Sequence, residues 1–189
     1  MDQFLTSRNE RKQQMKETND QLIFRHTNGR KGRNISITPE NSAMKHLVYG
    51  RIILDAEKPS ERFSTGSLET GLICLSGECT IEADGQTNNI NQYDSIYIPR
   101  DAEVAITTDS SVDLVECSAE VETKYPLQVV RYADVEKDSS LRFKTGGASN
   151  SRTVNITLGK NVEAGRILAG FTTSEPGHWT SWPPHEHAS

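Results

Sequence analysis

Toward its C-terminal end the 189-residue chain reads Trp182-Pro183-Pro184-His185-Glu186-His187, and the two imidazoles are the residues best suited to chemistry. On an extended strand, side chains at i and i+2 leave the same face, with Cβ atoms ~6–7 Å apart, so both rings can converge on one metal ion. The two prolines restrict the backbone ahead of them and reduce the entropy lost when such ligands are ordered. The plainer alternative is a pair of solvated histidines on a surface segment. His178 precedes His185 by seven residues and reads as a rim or hydrogen-bonding residue, while His26 and His46 have no partner pattern.

The cysteines point elsewhere. Cys74, Cys79 and Cys117 form an odd set without a CxxC pair, and Ser76-Gly77 between the first two reads as a turn, so they are expected to be reduced thiols in or near a β core. A zinc site from Cys74 and Cys79 is the weaker reading.

The elements that would position such groups are strands. After residue 33 the chain changes from charged, aperiodic text to short β-rich runs divided by turn residues. Runs at 34–37, 46–54, 68–75, 78–83, 94–98, 103–107, 112–118, 127–132, 152–158, 165–172 and 178–182 predict an all-β protein. Residues 133–139 allow one short helical turn. Asp84-Gly85 is the dipeptide of a two-residue hairpin, Ser76-Gly77 separates two strands, and Pro99 ends another. Thr80 and Glu82 alternate with Ile81 and Ala83, as in a sheet with one face in water.

Composition bounds the function classes. The net charge is −5, but residues 1–33 hold eight Lys/Arg against four Asp/Glu, a net +4, which leaves −9 on the remainder. This charged arm has few aromatics among its cations, and the body is acidic, so nucleic acid is not expected as a partner. The arm is expected to be poorly packed, apart from a short helix docking through Leu5, Leu22, Ile23 and Phe24. No apolar run approaches the ~18 residues of a membrane span, and the start has no apolar signal core, so a cytoplasmic location with no membrane partner is expected.

Two stretches carry a family resemblance. GLICLSGECTIEADGQ followed by YDSIYIPRDAEV resembles the two halves of a cupin domain, a jelly-roll-like barrel also described as a double-stranded β-helix. Aligning Gly77 and Pro99 with the cupin pattern puts Ser64, Gly66, Thr70 and Val104 at the ligand places, none a good metal ligand. A barrel over 34–125 without metal is therefore expected, with the neighbouring Glu69 a surface or rim carboxylate. NSRTVNIT and GRILAGFTTSEPGHWTSWPPHEH resemble the 5-deoxy-glucuronate isomerase family, bicupin enzymes of inositol catabolism related to 5-keto-4-deoxyuronate ketol-isomerase. Ile37-Thr38-Pro39-Glu40-Asn41-Ser42 adds to the likeness.

The resemblance covers roughly residues 34–189, about the N-terminal two-thirds of a family member, and implies a bicupin architecture. Residues 1–33 would be the arm, 34–125 the first cupin, and 126–189 a linker with the first strands of an incomplete second cupin. It further implies a divalent ion, Zn2+, Mn2+ or Fe2+, at His185 and His187, with a Glu and a third His supplied from beyond residue 189. This chain would then be a fragment or a shortened relative. The implied reaction is aldose–ketose isomerisation of a deoxy-uronate, most closely 5-deoxy-glucuronate to 5-dehydro-2-deoxy-gluconate. Arg152 is the candidate for binding the substrate carboxylate, against an interface ion pair, and no residue is assigned as general acid or base. With only two ligands, the 189 residues alone are expected to bind metal weakly and to turn over little substrate. Two other readings stand beside this one. The first is a non-catalytic cupin binding a small ligand or metal. The second is an oligomerising module whose apolar faces, including Leu127, Val129, Ile156, Leu158, Ile167 and Leu168, pack on the first barrel or on another copy.

Overall fold

A computed structural model of the chain describes residues 23–181. Thirteen strands and one four-residue helix make up the ordered elements among them. In chain order the strands are β1 (Gly32–Ile37), β2 (Val48–Leu54), β3 (Ser60–Ser64), β4 (Leu68–Gly77), β5 (Cys79–Ala83), β6 (Gln86–Ile90), β7 (Ser95–Ile98), β8 (Glu103–Thr107), β9 (Val112–Glu120) and β10 (Gln128–Val130). Helix α1 (Tyr132–Val135) follows, then β11 (Arg142–Thr145), β12 (Arg152–Leu158) and β13 (Ala169–Ser174).

Three antiparallel sheets result. A six-stranded sheet runs β1-β2-β9-β4-β7-β10, a four-stranded sheet β3-β8-β5-β6, and a three-stranded sheet β11-β12-β13. The first two share one apolar core, to which β2 gives Ile52 and Leu54, β4 Leu72 and Cys74, β9 Val112 and Leu114, and the smaller sheet Ile81, Ile90, Val104 and Ile106. Alternation explains the smaller sheet: Ile81 and Ala83 are buried while Glu82 between them is exposed. The Asp84-Gly85 turn joins β5 to β6 with both residues at positive φ, 48° and 74°, matching the right-handed twist of the two arms.

β4 does not alternate, because both of its faces are covered. Leu72 and Cys74 point into the shared core, while Glu69, Gly71 and Ile73 lie on the other face and are also buried. On that side the chain beyond β12 packs directly. A Cβ at position 71 would meet Leu158 Cδ1 at 2.5 Å, so glycine allows this close approach. A small cluster of Tyr93, Tyr132 and Phe171, with ring centroids 4.7–5.7 Å apart, ties α1 and β13 to the loop before β7.

Several sequence expectations shift. β1 begins at Gly32 rather than 34, and Lys31 already pairs with Asp55 at 2.7 Å, so the end of the charged arm is built into the sheet. β3 and β11 were not expected, because SERFS and RFKT carry little apolar signal. Residues 178–181 are not a strand. The segment 165–168, expected as strand, instead crosses the end of the six-stranded sheet as a loop, and β13 starts at Ala169.

Candidate functional site

Three clusters of polar side chains in this scaffold bear on the expected site residues. The first is within the two-sheet unit. Glu116 on β9 is directly opposite Leu72 and therefore faces the core, where its carboxylate is fully buried. Arg33 of β1 neutralises it through two parallel hydrogen bonds, Nε to Oε2 at 2.8 Å and Nη2 to Oε1 at 2.7 Å. The guanidinium lies over the Phe63 ring, 4.1 Å from its centroid. Thr70 and Ser118 complete the group, their hydroxyls 2.9 Å apart. Of the residues aligned to cupin ligand places, Thr70 is thus engaged with Ser118 and Val104 is 2% exposed in the core. An arginine supplies the positive charge that Glu116 needs.

The second place corrects the expectation for Glu69. It is not a rim carboxylate but a completely buried one, because the segment after β12 folds over it. Its Oε2 accepts from Tyr97 Oη at 2.9 Å and from the Gly165 amide at 2.7 Å, and its Oε1 from the amides of Arg166 and Ile167 at 2.6 and 2.8 Å. Three consecutive backbone N–H groups form a nest around the carboxylate, which binds the loop before β13 to the six-stranded sheet. Burial, followed by the hydrogen bond to Glu69, pushes the Tyr97 phenol well above its ordinary value.

The third place is the exposed face of the three-stranded sheet. Cross-strand registers put Phe143, Val154 and Thr172 in one row and Thr145, Arg152 and Ser174 in the next, on the same face. Arg152 is half-buried at the start of β12, and its Nη1 donates to the Asn150 carbonyl at 3.4 Å. The Ser174 hydroxyl donates to Thr180 Oγ1 at 3.0 Å, so the chain leaving residue 180 starts from the Arg152 end of this face. Leu158 is buried under the sheet, as its apolar character requires, whereas Leu168 stays 74% exposed. His178 is half-buried, and its Nδ1 has no hydrogen-bond partner among the described residues. His185 and His187 lie outside the described residues, and among those described no group of three His, Cys, Asp or Glu is placed to hold a metal.

A cleft with no signature in the sequence opens beside Glu69, with a volume of about 700 Å³. Arg100 and Arg166 face it from two loops 66 positions apart, so no local motif connects them. His46, treated from the sequence as an ordinary strand residue, is exposed on its border. The cysteines are free thiols as expected, with Cys74 and Cys79 buried and pushed up to about 12, chiefly by desolvation. No helix among the described residues is long and apolar enough to cross a membrane.

The facing antiparallel sheets with their shared core define an all-β protein, as the strand runs of the sequence predict. Residues 22–189 match the model of the KduI/IolB family, and the chain belongs to that family. It is 25% identical over 162 residues to 5-deoxy-glucuronate isomerase of Bacillus licheniformis, covering 80% of this chain and 58% of the relative. It is also 27% identical over 142 residues to 4-deoxy-L-threo-5-hexosulose-uronate ketol-isomerase of Cereibacter sphaeroides, covering 72% and 49% respectively. The chain therefore spans about half the length of these curated relatives. Among solved structures, an IolB-like protein from Salmonella typhimurium LT2 superposes with a TM-score of 0.71 at 21% identity, over 82% of this chain and 60% of that one.

Proposed function

We propose that this protein serves as an aldose–ketose isomerase of a deoxy-uronate, most closely one that converts 5-deoxy-glucuronate to 5-dehydro-2-deoxy-gluconate in inositol catabolism. The observation carrying this reading is that the family match runs through residue 189, and so takes in the His185-x-His187 pair, while two relatives bear isomerase names.

The donor chemistry fits a divalent ion: two neutral imidazoles at i and i+2 suit Zn2+, Mn2+ or Fe2+, while Glu116, the carboxylate buried in the two-sheet unit, is already paired with Arg33. His185 and His187 would hold the ion. When bound, it would polarise the substrate carbonyl and lower the cost of enediol-like charge as a proton passes from C2 to C1. Arg152, on the open face of the three-stranded sheet, would take the substrate carboxylate through its planar fork. Phe143 and Val154 beside it provide an apolar floor that limits water around that ion pair.

The test combines metal content with turnover. A full-length protein that includes these residues should form the ketose from 5-deoxy-glucuronate, and in it His185→Ala or His187→Ala should each lower both bound metal and turnover by about 100-fold or more, whereas residues 1–189 alone should turn over little. Arg152→Ala should raise KM with a smaller effect on kcat. Turnover that survives chelation and both histidine substitutions would overturn the reading.

A further inference from the structure

We infer that the cleft beside Glu69 is a binding site for a small polyhydroxy carboxylate, held by Arg100 and Arg166. Two guanidiniums are anchored on consecutive carbonyls of one short stretch, approached from two loops. Arg100 Nη1 donates to the carbonyls of Val121 and Glu122, at 2.6 and 3.3 Å, and its Nε donates to Asp101 at 2.8 Å. Arg166 Nε donates to the Glu120 carbonyl at 3.0 Å. The backbone of Arg166 is held independently, since its amide is one of the three that grip Glu69.

These bonds leave Nη2 of Arg100 and both terminal nitrogens of Arg166 without an acceptor among the described residues, and both side chains line the cleft. Pre-positioned guanidiniums with unused donors suit a carboxylate, whose two oxygens match the planar fork. The rest of the lining narrows the ligand. Glu120 and Glu122 balance the two arginines, so the cleft does not favour a polyanion such as a phosphate ester. Carboxylates are, however, strong acceptors for hydroxyl protons, and Ser67 and Tyr125 add groups that donate and accept. One negative charge beside several hydroxyls is the chemistry of a sugar acid. The volume of about 700 Å³ lies in the range of small-molecule sites, about 300–1,000 Å³.

The inference does not depend on the isomerase reading, and calorimetric titration separates them. The probes are D-glucuronate, D-glucose as the neutral polyol, and acetate as the carboxylate without hydroxyls. D-glucuronate should bind saturably, with glucose and acetate each about tenfold weaker or more. Arg166→Ala should weaken D-glucuronate about tenfold without lowering the melting temperature, Arg100→Ala should weaken it by a similar factor, and Arg166→Lys should recover only part of the Arg166→Ala loss. Should Arg100→Ala unfold the loop, the exposed Arg166 pair of variants carries the test. The His185→Ala/His187→Ala double variant should bind D-glucuronate as wild type does. Absence of saturable binding, equal affinity for glucose, or binding lost with the histidines but kept in Arg166→Ala would overturn the inference.

Discussion

Replacing Glu69 by alanine removes the acceptor for four donors at once. One of them, the Tyr97 hydroxyl, belongs to a fully buried residue, so it bears its whole desolvation cost of about 1–3 kcal/mol. The amides of Gly165, Arg166 and Ile167 lie in a partly exposed loop, where water can replace part of what they lose. They contribute less each, and the sum expected is about 3–5 kcal/mol, the range for disrupting a buried charge with its partners. Glu69→Gln keeps the shape but presents an N–H2 group to donors, and should cost about 2 kcal/mol. Tyr97→Phe removes a single bond and should cost about 1 kcal/mol, coupled to Glu69 in a double-mutant cycle. Urea unfolding gives the free energies, and amide hydrogen exchange at residues 165–167 should accelerate in both Glu69 variants. A loss below about 0.5 kcal/mol for Glu69→Ala, with exchange at those amides unchanged, would refute the reasoning.

Other perturbations test separate parts of the scaffold. Arg33→Ala strands the Glu116 carboxylate in the core and should cost about 3–5 kcal/mol in urea unfolding, whereas Arg33→Met with Glu116→Leu should recover most of it. Gly77 has φ +76°, and a Cβ there would stand 1.9 Å from the Ser111 carbonyl oxygen, so Gly77→Ala should lower the melting temperature by several degrees, about 2 kcal/mol or more. Burial pushes Cys117 up to about 11 as well as Cys74 and Cys79 up to about 12, so the folded state holds these thiol protons more tightly than the unfolded chain does. Their contribution is complete below the unfolded thiol value of ~8.5 and is lost as pH rises from there. Unfolding free energy should therefore fall less steeply between pH 8.5 and 10 in a Cys→Ala triple variant; equal slopes would contradict this.

The strands legible in the sequence were those with one clear face. The run 78–83 alternates, and the Asp84-Gly85 hairpin behind it forms with both residues at positive φ. RFKT and SERFS escaped notice because edge strands half in water need no apolar period, only neighbours to pair with. The loop at 165–168 was misread for the opposite reason. Its apolar residues suggested a strand, but their amides are engaged by a carboxylate almost a hundred positions earlier rather than by a neighbouring strand. The cleft was invisible for the same cause, since Arg100 and Arg166 meet only through the carbonyls at 120–122.

Glu69 and Glu116 make the point sharply, because each stands as an acid within an apolar strand and nothing local distinguishes their roles. Register does. Glu116 pairs with Leu72 and so shares the inner face, where it needs the guanidinium of Arg33 and draws β1 onto the sheet. Glu69 pairs with Ala119 on the other face, where it needs donors and draws in the loop ahead of β13. A buried carboxylate is costly without partners, so each one specifies which segment must close over it. The six-stranded sheet thus carries one fully buried carboxylate on each face. The inner one fastens the sheet to its own N-terminal strand, and the outer one fastens it to the segment that continues into β13 and on toward the histidine pair.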